Sequence, residues 1–154
     1  MPSEAAATTL VHSLEVVTDR PTTFVDLTGR LEAIVAGTGV RDGILHVQTQ
    51  HTTTGLLINE AEPLLLEDLT RCFEAWAPRQ RVYAHDDFRT RTVNMTPGER
   101  RNGWAHCRAA LLRTSESIVI GDGRLRLGRW QRVLFAEFDG PRRRELAVLV
   151  QPVA

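Results

Sequence analysis

The sequence predicts an α+β fold, a single compact domain built mostly as an antiparallel β-sheet sandwich with a few helices. Three observations predict it. A chain of 154 residues is long enough for one substantial core and short for two. The C-terminal third reads as successive strands punctuated by glycine-containing turns. The helical segments between the strands lack the regular βαβ alternation of a doubly wound sheet. Residues 1–8, small and polar, are expected to form a flexible N-terminal tail, and residues 9–154 the domain.

The elements follow in order. Thr9 to Val17 and Thr22 to Leu27 read as strands rich in β-branched residues, and Asp19-Arg20-Pro21 between them suggests a hairpin. Thr28 to Ala36 carries Leu31, Ile34 and Val35 at helical spacing and stops at Gly37-Thr38-Gly39. Ile44 to Gln50 alternates as a strand, and Gly55 to Glu60 continues extended, whereas Thr52 to Gly55 is too polar and compact for a strand core. Pro63 to Trp76, with Leu64, Leu65, Leu69, Cys72, Phe73 and Trp76 at helical spacing, is the strongest helix.

From Ala77 to Arg101 the composition turns polar and irregular, which makes this the longest loop and the expected cover of an active site. Trp104 to Arg113 is expected as a short helix. Four strands then follow, Ser117 to Ile120, Arg124 to Leu127, Trp130 to Phe138 and Arg144 to Val150, with turns at Gly121-Asp122-Gly123 and Asp139-Gly140-Pro141.

Composition narrows function. Cationic and acidic residues balance at 19 each, and no basic stripe with interleaved aromatics appears, so nucleic acid is not the expected partner. All 19 cationic side chains are arginine, which removes Schiff-base chemistry and a P-loop lysine from consideration. Two cysteines, no apolar signal core and no 18-residue apolar run point to a reducing cytoplasm and no membrane partner.

Three histidines stand in polar or small-residue settings: His51 before Thr52-Thr53-Thr54, His85 before Asp86-Asp87, and His106 after Trp104-Ala105. Imidazole is the commonest protein ligand for zinc-like ions, and three ligands plus water leave a position for chemistry. The alternative reading makes each a separate histidine. His12 and His46 alternate with apolar strand residues and read as half-buried strand positions. Glu137 alternates with Val133 and Phe135, where a carboxylate is expensive to bury unless it meets a histidine N–H, an arginine or water. It is a candidate general base, or else an edge-strand glutamate in solvent. Asp86 would ligate metal, orient an imidazole or cap a helix. Arg89, Arg91, Arg100 and Arg101 would clamp a diphosphate, sit in solvent or make a subunit contact, Arg142-Arg143-Arg144 reads as a charged hairpin end, and Cys107 as an inert packed thiol.

Four motifs in order carry a resemblance. His51-Thr-Thr-Thr-Gly-Leu-Leu-Ile-Asn-Glu60, the His85-Asp86-Asp87 segment, Ala105-His106, and Gly123-Arg-Leu-Arg-Leu-Gly-Arg-Trp-Gln131 with Glu137-Phe-Asp-Gly-Pro-Arg142 resemble the YjbQ family of secondary thiamine-phosphate synthase-like proteins. The match runs roughly from Asp26 to Val150. It departs where the segment after His85 is longer and more arginine-rich, at Arg129 in place of a frequent threonine, and at Cys107 in place of an aliphatic residue.

The resemblance implies a homotrimer with a divalent metal ion, zinc-like or magnesium, held by His51, His85 and His106. It also implies catalytic roles for Glu60, Glu137 and Asp86, and substrate binding by Asn59, Arg129, Trp130 and Gln131. The implied reaction joins an aminopyrimidine diphosphate to a thiazole phosphate with release of diphosphate, aided by charge neutralisation and exclusion of water. Two alternatives stand beside it: metal-assisted transfer or hydrolysis on another phosphorylated small molecule, and a non-catalytic trimeric metal- or ligand-binding protein.

Overall fold

A computed structural model describes residues 10–153. The elements run β1 (Leu10–Val17), β2 (Thr23–Asp26), α1 (Thr28–Thr38), β3 (Gly43–Thr49), β4 (Thr54–Asn59), α2 (Pro63–Trp76), a 3-10 turn (Ala84–Asp86), α3 (Gly103–Ala109), β5 (Ser115–Gly121), β6 (Arg124–Leu125), β7 (Arg132–Glu137) and β8 (Arg143–Pro152). The strands form two antiparallel sheets, one ordered β1-β8-β3-β5-β6 and the other β2-β7-β4. The expected tail lies outside the described residues.

Burial explains the layering. In β3, Leu45, Val47 and Thr49 are buried while Ile44 and Gln48 face outward, the period-two signature of a sheet covered on one side. Strand β7 is buried on both faces. Val133 and Phe135 join Leu14, Val47, Leu146 and α1 in the main core, while Ala136 and the following Phe138 pack with Phe73 of α2 and Trp104, Ala105 and Ala109 of α3. The three-stranded sheet is therefore a middle layer, with the five-stranded sheet on one side and α2 and α3 on the other.

Local chemistry ends the elements where expected. Gly39 takes φ 72° and closes α1, and Asp122-Gly123, both at positive φ, make the two-residue turn between β5 and β6. Helix α2 spans the residues its periodicity predicts. Its N-terminus is capped by Glu62, whose carboxylate accepts from the Leu64 and Leu65 amides.

Four expectations change. The predicted β1–β2 hairpin does not form: β1 pairs with β8 and β2 with β7 in the other sheet. The intervening corner is held to the β7–β8 connection by Thr18 N–H to Arg142 O, 2.8 Å, and Gly140 N–H to Pro21 O, 3.2 Å. The four C-terminal strands divide likewise, β7 lying in the middle sheet and β5, β6 and β8 in the other. Thr54 and Gly55 are buried inside β4, because Thr49 Oγ1 and the His51 carbonyl satisfy the Thr54 hydroxyl. Helix α3 ends at Ala109 rather than Arg113: the Leu111 and Leu112 amides turn back only three residues, to Arg108 O and Ala109 O at 3.1 and 3.0 Å, and the chain then reaches β4, where the Leu56 amide donates to the Arg113 carbonyl at 2.8 Å.

Candidate functional site

One end of the sandwich collects the β3–β4 turn, the end of β7 and the start of β8. The segment 84–99 and α3 close over it, leaving a cleft of about 920 Å³ lined by His51, His85, His106, Arg91, Arg142 and Arg144 among others. All three sequence-predicted histidines therefore reach one cavity, and the long loop covers it.

They reach it in different states. The β3–β8 ladder ends at Thr49 with Leu146, and beyond it His51 Nε2 accepts the Glu145 amide at 3.1 Å, standing in for the next backbone carbonyl. An accepting Nε2 leaves the proton on Nδ1. Burial first, then the Arg144 guanidinium, lowers the His51 pKa from its usual 6.5. His85 and His106 instead face each other, ring centroids 4.5 Å apart and planes inclined at 60°. His85 Nε2 is buried without a hydrogen-bond partner among the described residues. Burial and then the neighbouring His85 lower the His106 pKa, against the opposing effect of the Asp139 carboxylate and the Thr52 backbone.

Asp86 sets that pair. Its Oδ1 accepts the amides of Asn102 and Gly103 at 2.9 and 3.0 Å, satisfying the start of α3 and tying the 3-10 turn of His85 to the helix of His106. Asp86 thus acts as a helix cap through Oδ1, one of the roles its sequence setting allowed.

Every cleft arginine is already paired. Arg144 makes a bidentate pair with Glu137, Nε to Oε2 at 2.6 Å and Nη2 to Oε1 at 2.7 Å, and also donates to Thr53 Oγ1 at 2.8 Å. Arg142 donates to Asp139 at 2.7 Å, and Asn102 Nδ2 reaches the same carboxylate oxygen at 3.2 Å. Arg91 pairs with Glu99 at 3.2 Å and donates to the Asn94 carbonyl at 2.6 Å, while Thr96 closes on Glu99. Thr96 and Glu99 thus make a local staple within the loop.

The remaining predicted positions separate. Glu137 is fully buried in the central strand β7, so the solvent-exposed edge-strand reading is overturned; Arg144 satisfies it. The charged-hairpin reading of Arg142-Arg143-Arg144 holds only for exposed Arg143, which pairs with Glu15. Asn59, Glu60, Arg129, Trp130 and Gln131 lie at the opposite end of the middle sheet. Asn59 pairs with Arg132 where Thr54 pairs with Glu137, about 17 Å away at ~3.3 Å per residue. There Asn59 accepts the Glu60 amide, Gln131 accepts the Gly128 amide, and Arg129 stacks on Trp130 at 4.6 Å. Asp139, Asn102 and Thr53 were not among the expected site residues; the Glu137–Arg142 motif contained the first and the His51–Glu60 motif the last, but nothing local marked Asn102.

His46 bonds Ser117 Oγ through Nδ1 at 2.8 Å, in keeping with its strand role. Two free cysteines, Cys72 exposed and Cys107 half-buried, form no disulfide.

A pH dependence follows. His51 and His106 have folded pKa values below 6.5, so the unfolded chain takes up protons first, and stability present above pH 6.5 is lost as pH falls through the folded values. The urea midpoint is expected to drop between pH 7 and pH 5, with a shallower drop in His106→Gln. An identical slope in that variant would remove His106 from the account.

The chain's relatives match this architecture. The family model described as UPF0047 protein YjbQ-like matches residues 12–152. A UPF0047 protein of Archaeoglobus fulgidus is 41% identical over 81% of this chain and 88% of its own length. The crystal structure of a YbjQ-like protein of unknown function from Sulfolobus solfataricus P2 superposes with a TM-score of 0.83 at 26% identity, covering 95% of this chain and 99% of that one. A hypothetical protein from Aeropyrum pernix K1 gives 0.81 at 32% identity, covering 94% and 99%. On this sequence match across most of its length, the chain belongs to the UPF0047 YjbQ-like family.

Proposed function

We propose that the chain is a metal-dependent enzyme acting on a phosphorylated small molecule in the histidine cleft, with thiamine-phosphate formation from an aminopyrimidine diphosphate and a thiazole phosphate as the reaction to test first. The observation that carries this reading is the His85–His106 pair, one of whose imidazole nitrogens is buried without a partner beside a 920 Å³ cleft. A buried unpaired nitrogen is costly unless something binds it.

The donor set bears on the metal. Among the described residues no three His, Cys, Asp or Glu side chains converge as a ready ligand group. His85 and His106 would hold the ion, and His51 would join only by releasing the Glu145 amide. Imidazole donors favour a zinc-like ion over magnesium, which prefers oxygen. Such an ion would act as a Lewis acid on a phosphoryl oxygen. The chain's own part is to bind and orient: Arg142 and Arg144 present N–H groups at the cleft wall, and the segment 84–99 supplies the facing wall. With Asp86 and Glu137 committed elsewhere, proton transfer falls to the histidines.

A non-catalytic binding role is favoured by one observation: Arg91, Arg142 and Arg144 are all neutralised by Glu99, Asp139 and Glu137, leaving no unpaired cation lining this cleft for a departing diphosphate. Elemental analysis of the protein and of His51→Ala, His85→Ala and His106→Ala, each assayed for thiamine phosphate formation, separates the readings. Stoichiometric metal lost with activity in His85→Ala and His106→Ala is expected of the enzyme, with a fall of about a hundred-fold or more. Metal present with no turnover would support the binding role, and a metal-free native protein would end the metal reading.

The homotrimer belongs to the same proposal. The outer face of the five-stranded sheet exposes Val11, Ile44 and Val119, an apolar surface suited to a second copy. Light scattering on the purified chain tests it. Among the described residues no helix is long and apolar enough to cross a membrane, and a cytoplasmic site of action, suggested by the unpaired cysteines, is proposed with it.

A further inference from the structure

We propose that a second cleft, backing onto the first, binds a small phosphorylated molecule through unpaired arginines. The Ala84–Asp86 turn and the start of α3 form the wall between the two: His85 and His106 face one, Asp86 and Trp104 the other. The second cavity, about 700 Å³, falls within the range of small-molecule sites.

Charge distinguishes the clefts. Arg79, Arg81, Arg89 and Arg101 line the second one, against two carboxylates, Asp86 and Asp87. Both carboxylates already hold local partners, and the four guanidinium groups outnumber them two to one. Asp86 accepts the α3 amides, and Asp87 is held below the usual carboxylate range chiefly by its bond from the Arg89 side chain. Among the described residues no carboxylate lies within salt-bridge distance of Arg79, Arg81 or Arg101. In a chain whose charges balance at 19 each, this gathering of unpaired guanidinium groups in one concavity is a local excess.

Shape and surface narrow the ligand. Guanidinium forks match phosphate oxygens in pairs, so one phosphate or diphosphate would engage Arg81 and Arg101. Phe88 is 36% exposed and Val82 94% exposed at the same cavity, and the Arg79 guanidinium lies 5.0 Å from the centre of the Trp104 ring. These groups offer a planar and apolar wall for a ring attached to the phosphate. The cations are confined to a cleft rather than spread along a stripe, which suits a compact ligand better than a nucleic-acid backbone.

Calorimetric titration of the full chain with inorganic diphosphate at low ionic strength tests the site. One-to-one binding is expected, weakening with added salt and at least ten-fold weaker in Arg81→Ala/Arg101→Ala. It should be little changed in Arg124→Ala/Arg143→Ala, which removes the same charge elsewhere. All four residues are exposed, and circular dichroism confirms that the variants keep their fold. No binding by the native chain, or equal binding by the Arg81/Arg101 variant, would overturn the proposal. So would a single-stranded oligonucleotide that binds where diphosphate does not compete.

Discussion

Arg144→Ala is expected to lower the unfolding free energy by about 3–5 kcal/mol, because it leaves Glu137 as an uncompensated buried charge. Glu137 has no exposed surface, and both its oxygens are taken by the Arg144 guanidinium, with the Asp139 amide also donating to Oε1 at 2.8 Å. Arg144 further holds Thr53 in the turn that follows His51. Stability of a domain this size is typically ~5–15 kcal/mol, so the variant forfeits a large share of it. Melting is expected to fall by roughly 10 °C.

The double variant Arg144→Leu/Glu137→Leu distinguishes the cause. If the cost is a stranded charge, removing both partners should recover most of it. A double variant as unstable as Arg144→Ala would instead show that the pair's geometry holds the two sheets together, and would sink the stranded-charge account. Urea denaturation of the three proteins decides between them.

Arg108→Ala is expected to cost about 2–4 kcal/mol, from lost packing and an orphaned carbonyl. The Arg108 side chain is 2% exposed and ties α3 to two other elements. It donates to the Ala77 carbonyl at the end of α2 at 3.0 Å, to Thr22 Oγ1 beside β2 at 3.1 Å, and to Glu74. Lysine has one compact ammonium where the site uses a three-way fork, so Arg108→Lys is expected to recover less than half of the loss. Because α3 also carries His106, the α3 amides should exchange faster with deuterium in Arg108→Ala. Unchanged exchange there, with the global midpoint intact, would remove Arg108 as the pin of α3.

Much of this molecule was legible locally. Alternation placed β3 and the extended run after His51 placed β4, each within a residue or two, the leucine spacing placed α2, and Asp122-Gly123 placed the turn between β5 and β6. These features depend on side-chain period and backbone preference, which neighbouring residues determine. The histidines also declared themselves: His51, His85 and His106 share a cleft, and loop 77–101 supplies much of its lining.

What the sequence could not carry was partnership at a distance. Asp19-Arg20-Pro21 announces a turn, but whether the chain folds back or crosses to another sheet depends on β7 and β8, more than a hundred residues on. Glu137 has the same alternation on an edge strand as in a middle layer; only the packing of the five-stranded sheet on the face it shares with Val133 and Phe135, with β2 and β4 on either side, makes it fully buried, and only then is Arg144 of β8 required. Asn59 and Trp130 belong to the same family motifs as His51 and Glu137, yet the register of β4 on β7 puts them at the other end of the sheet. Residue type and spacing by themselves placed most of the elements and singled out the three histidines, and the ordered motifs carried the family. Tertiary structure alone decided which charges are spent, since an ion pair is set by distances in space and by the dielectric around it, and neither is written in the order of the chain.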